Sequence, residues 1–169
     1  SLLHVNISVV EEQTEKDEEG EIVSRRTVRR CVFNGTTASF DAIRDMIERY
    51  RVDLCVIDAM PETRKAQELR DYFLNHDAQV WLCRFHPTAR VGSQRYGLKM
   101  NYRDMVVTVD RTQVFDASFD DIKERTRLFP QDCFTALGWS EQMRAPVRVL
   151  DENKSRIIWT EGSTPDHYR

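Results

Sequence analysis

Two carboxylates far apart in the chain carry the sharpest chemical signal. Asp58 closes the most apolar segment of the sequence, Val52-Asp53-Leu54-Cys55-Val56-Ile57-Asp58-Ala59, and Asp166 stands beside an imidazole in Ser163-Thr164-Pro165-Asp166-His167-Tyr168-Arg169. An acid at the carboxyl end of a buried strand lies where open α/β sheets bind their ligands. Carboxylate oxygens suit hard cations such as magnesium. Carboxylates gathered at one place repel each other, so keeping them all ionised favours a cation between them. Each acid alone has a plainer reading: Asp58 caps a helix or bonds loop amides, Asp166 opens a terminal helix, and His167 is a surface histidine. Taken together they point to a metal site with Asp58 and Asp166 as ligands and His167 as an auxiliary group.

A second signal is basic. From Val80 to Arg103 the chain has no acid, and it holds Arg84, Arg90, Arg95, Lys99 and Arg103 with His86, Tyr96 and Tyr102 among them. Cations interleaved with aromatics suit a phosphate backbone. The rival reading is a basic loop that balances acids elsewhere. Asp110-Arg111-Thr112 reads as an acid–base pair at a hairpin turn, structural in preference to a DNA contact.

Other chemistries find less support. No phosphate-binding GxxxxGK[ST] loop, GxSxG elbow or HExxH pair occurs, and the four histidines lack zinc-like spacing. Cys31, Cys55, Cys83 and Cys133 form no CxxC pair, which suits reduced core thiols of a cytoplasmic protein. A net charge of −3 argues against an overall basic nucleic-acid binder but leaves local fields open. No apolar run is long enough for a membrane span, and no leader is visible.

The elements that must position these residues follow from periodicity. The 169 residues suit one domain. Leu2–Val10 alternates as a strand, Glu11–Glu21 reads as a solvated, acidic hairpin turn, and Ile22–Phe33 returns near a sheet edge, with Asn34-Gly35 as a turn signal. Ser39 caps a helix whose inner face carries Phe40, Ile43, Met46, Ile47 and Tyr50. The run from Val52 to Ala59 predicts a central strand covered on both faces. A helix from Pro61 to about Asn75 follows, then a strand over Val80–Phe85 and a loop over Pro87–Asp104. Met105–Val109 and the residues from Gln113 read as a hairpin, Phe119–Leu128 as a short helix, and Val147–Leu150 with Ile157–Trp159 as a final hairpin. The later strands alternate with helices, which predicts parallel pairing.

In this order the motifs resemble the C-terminal nuclease domain of phage terminase large subunits, the DNA-packaging motors. The resemblance rests on Val56-Ile57-Asp58-Ala59 with its following helix, on Val107-Thr108-Val109-Asp110-Arg111-Thr112, and most of all on Pro165-Asp166-His167-Tyr168. It implies an RNase H-like fold over residues 1–169: a mixed sheet of three antiparallel and two parallel strands, with helices on both faces. It implies a metal-dependent endonuclease that cleaves double-stranded DNA with two Mg2+ or Mn2+ ions, the catalytic and metal-binding residues being Asp58 and Asp166. Arg84, Arg90, Arg95, Lys99 and Arg103 would bind DNA. The implied partners are an ATPase motor domain, a small terminase subunit and a portal protein, in the host cell cytoplasm.

The family's third acid lies on the first strand, in a Gly-x-Asp-x-Gly segment that this sequence lacks. The expectation is therefore a domain trimmed at both ends, with a weakly active or inactive site. A degenerate first strand over Leu2–Val10, with Asn6 or Ser8 near the acid position, is the alternative. Another RNase H-like nuclease or recombinase, and a non-catalytic docking domain of a packaging motor, are the competing functions.

Overall fold

The computed structural model of the protein describes residues 2–86, 98–135, 139–152 and 156–160. It is a mixed α/β structure, and its contacts divide it into two compact units. Thr37–Phe115 belong to one; His4–Thr36 and the described residues from Asp116 onward belong to the other.

The chain begins as a long hairpin of β1 (Leu3–Lys16) and β2 (Ile22–Thr37). The strand runs through much of the acidic segment expected to be a turn. Pairs across the ladder hold it there: Arg30 with Glu11, Arg26 with Gln13, and Ser24 with Glu15. The turn itself is only Asp17–Glu21, where the Asp17 carboxylate accepts from the amides of Glu19 and Glu21 and Gly20 takes φ +87. Asn34-Gly35 is no turn but part of β2. A Cβ on Gly35 would stand 3.1 Å from the Phe33 ring, so the glycine makes room for an aromatic.

The next elements build the four-stranded sheet that carries Asp58. They are α1 (Phe40–Arg49), β3 (Leu54–Asp58), α2 (Thr63–Phe73), β4 (Gln79–Phe85), β5 (Leu98–Asn101), β6 (Val106–Val109) and α3 (Arg111–Lys123). Ser39 caps α1 as expected, its hydroxyl accepting from the Ala42 amide at 3.2 Å. The strand order is β3-β4-β6-β5. β3 and β6 both run parallel to β4, and β5 is antiparallel to β6. One face packs Ile57, Ala59, Leu82 and Val106 with Phe40 of α1 and Ala66 of α2. The other packs Trp81, Cys83, Val107, Val109 and Leu98 with Val114 of α3.

Two further expectations need correction. β3 is an edge strand among the described residues, and Leu54 and Val56 are 59% and 55% exposed. The strand buried on both faces is β4, where Val80, Trp81 and Leu82 are all buried. An apolar run marks a strand, but pairing decides which strand is central. Secondly, β6 makes its hairpin with β5 before it, and the residues after Asp110 are helical. The helix expected over Phe119–Leu128 is thus α3, which starts earlier and ends at Lys123.

The chain then returns to the hairpin's unit. β7 (Arg127–Leu128) pairs parallel with β2 at Arg29 and Arg30, giving the order β1-β2-β7. A 3-10 helix (Gln131–Thr135), α4 (Trp139–Arg144) and the expected hairpin of β8 (Val147–Asp151) and β9 (Arg156–Thr160) complete it. Asp116 fixes this hairpin to α3. It accepts from Trp159 Nε1 at 2.9 Å and pairs with Arg148 at 3.4 Å, while the Trp159 ring stacks on Phe119.

Candidate metal and nucleic-acid site

Asp58 is the last residue of β3. Alternation along the strand sends it to the same face as Leu54 and Val56, and it is exposed. Its Oδ1 accepts from the Met60 amide at 3.0 Å. This bond fixes the side chain in an Asx turn and leaves Oδ2 without a hydrogen bond among the described residues. The turn continues through the cis peptide Met60–Pro61, and Thr63 Oγ1 donates to the Ala59 carbonyl at 2.6 Å. Helix α2 begins only at Thr63, so Asp58 binds a loop amide and does not cap the helix.

Register places Cys83 directly beside Asp58. Burial pushes the Cys83 thiol up to about 11, and the Asp58 carboxylate adds to the rise. The thiol stays neutral near pH 7, so Asp58 supplies the negative charge at this end of β3. A hard cation meets one oxygen donor here and a protonated sulfur that suits it poorly.

Asp110 is the other acid at a carboxyl end of this sheet. It is buried, and it is the cap of α3: its Oδ1 accepts from the Gln113 amide at 3.1 Å. Strand β4 lies between β3 and β6, and Asp110 stands three register positions beyond the residue level with Asp58. Strand spacing and rise then separate the two Cα atoms by about 14 Å. They are not ligands of one ion. Among the described residues, no group of three or more His, Cys, Asp or Glu side chains is arranged to hold a metal. Asp166 and His167 lie outside the described residues, so the second arm of the expected site is not placed.

The basic segment is divided. Arg84 pairs with Thr108 in the β4–β6 register, and Lys99 pairs with Thr108 in the β5–β6 register. Arg84, Thr108 and Lys99 therefore form one row across three strands on one face, and both cations are exposed. That face is opposite the one from which Asp58 projects. Arg103 is also exposed but sits in the β5–β6 turn, beyond the other end of β6. Arg90 and Arg95 lie outside the described residues. Arg111, from the Asp110-Arg111-Thr112 motif, stands 5.2 Å over the Phe115 ring and 6.0 Å over Phe85, a packing role.

Sequence reasoning missed the capping role of Asp110, although the signal was present. Asp110-Arg111-Thr112-Gln113 has an N-cap acid followed three residues later by Gln, which marks a helix start. It also missed Asp116, whose two partners lie more than thirty residues away and leave no local trace. Comparison with protein-family models, with curated proteins and with solved structures gives no match.

Proposed function

We propose that the chain is the nuclease domain of a viral DNA-packaging terminase, RNase H-like in fold and dependent on Mg2+ or Mn2+ for cleavage of double-stranded DNA. The observation that carries this reading is Asp58: an exposed carboxylate at the carboxyl end of a parallel strand, pinned through one oxygen with the other open. Asp58 fits a metal as one oxygen ligand, and Asp166 is the second ligand implied by the resemblance. When bound, the ions supply Lewis-acid stabilisation of the phosphate and an activated water. The chain's own part is to hold the Asp58 carboxylate in place through the Met60 amide and to keep the neighbouring thiol neutral. Arg84 and Lys99 offer positive charge to a phosphate backbone on the face of the sheet opposite Asp58.

Manganese titration followed by NMR tests the metal reading. The paramagnetic ion should broaden the amides of Ala59 and Met60 in the wild type and spare them in Asp58→Asn. An asparagine oxygen still accepts from the Met60 amide, so the fold should be kept. Equal broadening in both proteins, or none at these amides, removes Asp58 from the site. Manganese-dependent nicking of plasmid that is the same in both proteins removes it from the chemistry.

A second reading, a non-catalytic docking domain of a packaging motor, is favoured by the exposed apolar side chains Leu54 and Val56 on a strand that, among the described residues, is paired on one edge only. It predicts that Asp58→Asn leaves partner binding intact and that Leu54→Lys abolishes it.

A further inference from the structure

Outside this site, two arginines lie side by side with one acid to serve both. Arg26, Arg29 and Arg30 of β2 each have an acceptor: Gln13, Asp121 at 2.6 Å, and Glu11 in turn. Register sets Arg127 of β7 directly beside Arg29, and all of these residues belong to one compact unit. Partners in a parallel pair point to the same face, with strands about 4.8 Å apart. Arg127 is half-buried, yet among the described residues its guanidinium has no hydrogen-bond or ion-pair partner. The acid that acts on both arginines is already engaged through both oxygens. Asp121 Oδ2 holds Arg29, and Oδ1 accepts from Thr126 Oγ1 at 3.3 Å. Cys31, two residues beyond Arg29 on the same face of β2, adds no negative charge, because burial raises its thiol and keeps it protonated near pH 7. Two guanidinium groups and one carboxylate thus leave a positive charge unbalanced among the described residues. Like charges side by side in a sheet are destabilising, and a partly desolvated one costs more until an anion meets it. Burial pushes the Arg127 guanidinium down from its ordinary value, Asp121 holds it up and Arg29 pushes it down again, but a guanidinium stays charged.

We infer that Arg127 and Arg29 form a phosphate site that takes the dianionic head of a phosphate monoester. The inference does not rest on the nuclease reading. A guanidinium presents a planar fork of N–H donors that matches phosphate oxygens. Arg127 has its whole fork open, and Arg29 keeps donors beyond the Nη1 that Asp121 holds. A monoester suits the place better than a backbone diester. It carries roughly −1.5 to −2 charges at pH 7. It also ends a molecule, so only its own oxygens need reach a half-buried fork.

Inorganic phosphate is the first probe, titrated into the whole protein against chloride at equal ionic strength and followed by NMR of the arginine Nε–Hε signals. Arg127 and Arg29 should shift together and saturate, and phosphate should raise the melting temperature. Arg127→Met keeps the apolar stem and removes the charge. It should weaken phosphate binding by about tenfold or more. In phosphate-free buffer it should melt no lower than the wild type, since the charge it removes has no partner. Arg127→Lys keeps the charge without the fork and should bind with intermediate affinity. A lower melting temperature for Arg127→Met in phosphate-free buffer would show the charge already balanced inside the fold and would overturn the assignment. So would unsaturable shifts at Arg127, or equal phosphate affinity in wild type and Arg127→Met. Adenosine monophosphate and a 5′-phosphorylated oligonucleotide then separate a small ligand from a strand end. An unphosphorylated oligonucleotide that shifts Arg127 equally would overturn the monoester in favour of the backbone.

Discussion

Single side chains in this protein are held by few but decisive partners. Asp116 is the clearest case, since one carboxylate serves both Trp159 and Arg148. Asp116→Ala leaves the half-buried indole N–H without its acceptor and should destabilise the fold by about 2 kcal/mol. Urea unfolding checks this, and a loss below about 0.5 kcal/mol would show that water replaces the bond. The half-buried thiols of Cys55 and Cys83 set a pH dependence. Burial lifts Cys55 to about 11 from an unfolded value near 9.0. Its contribution to stability is whole below pH 9 and is lost as pH rises toward 11, because the unfolded chain releases the proton first. Cys83 acts in the same direction, reduced by its partial exposure. Melting temperature should therefore fall between pH 9 and 11 in the wild type, and the fall should shrink in Cys55→Ala. An unchanged slope in that variant would place the thiol in contact with water.

At the scale of elements, local signals and pairing contribute differently. Ser39 caps α1 through one hydroxyl, and Ser39→Ala should cost about 1 kcal/mol in chemical denaturation. No loss would mean that water satisfies the Ala42 amide equally well. That cap was legible in sequence because capping depends on residues only three apart. The hairpin of β8 and β9 and the parallel order of β3 and β4 were legible for a similar reason: apolar periodicity marks elements, and helical crossovers dictate parallel strands. The place of β3 at an edge was not legible. Its apolar residues look the same whether a partner or solvent covers them, and only the register with β4 reveals the difference. The acidic stretch failed as a turn because Glu11 and Glu15 have partners across the hairpin, information held in another strand. Of the candidate site, Asp58 was placed where a strand end requires. Its proximity to Cys83 depends on register, which a single strand's sequence does not encode.

For the whole molecule, charge distribution decides whether DNA binding is physically reasonable. The chain carries net charge −3, and seven acids with one lysine occupy Glu11–Glu21, so a duplex meets no general attraction. Any affinity must come from a local field, and the row Arg84–Thr108–Lys99 concentrates two exposed cations on strands held rigidly together. Each strand step is about 4.8 Å, which places the two cation-bearing Cα atoms roughly 10 Å apart. Flexible side chains of that spacing can reach neighbouring phosphates of one strand. Each phosphate contact releases counterions, so binding weakens with salt by a slope of about 0.9 per contact. The double substitution Arg84→Gln with Lys99→Gln should weaken duplex binding and reduce the slope of log affinity against log salt by about 1.8. Arg103→Gln, in the turn beyond the other end of β6, should leave both nearly unchanged. Fluorescence anisotropy with a labelled duplex over a range of salt measures all three proteins. Equal slopes in the wild type and the double variant would move DNA contact away from this face of the sheet. A reduced slope for Arg103→Gln alone would place the contact at the other end of β6, away from the strand end that carries Asp58.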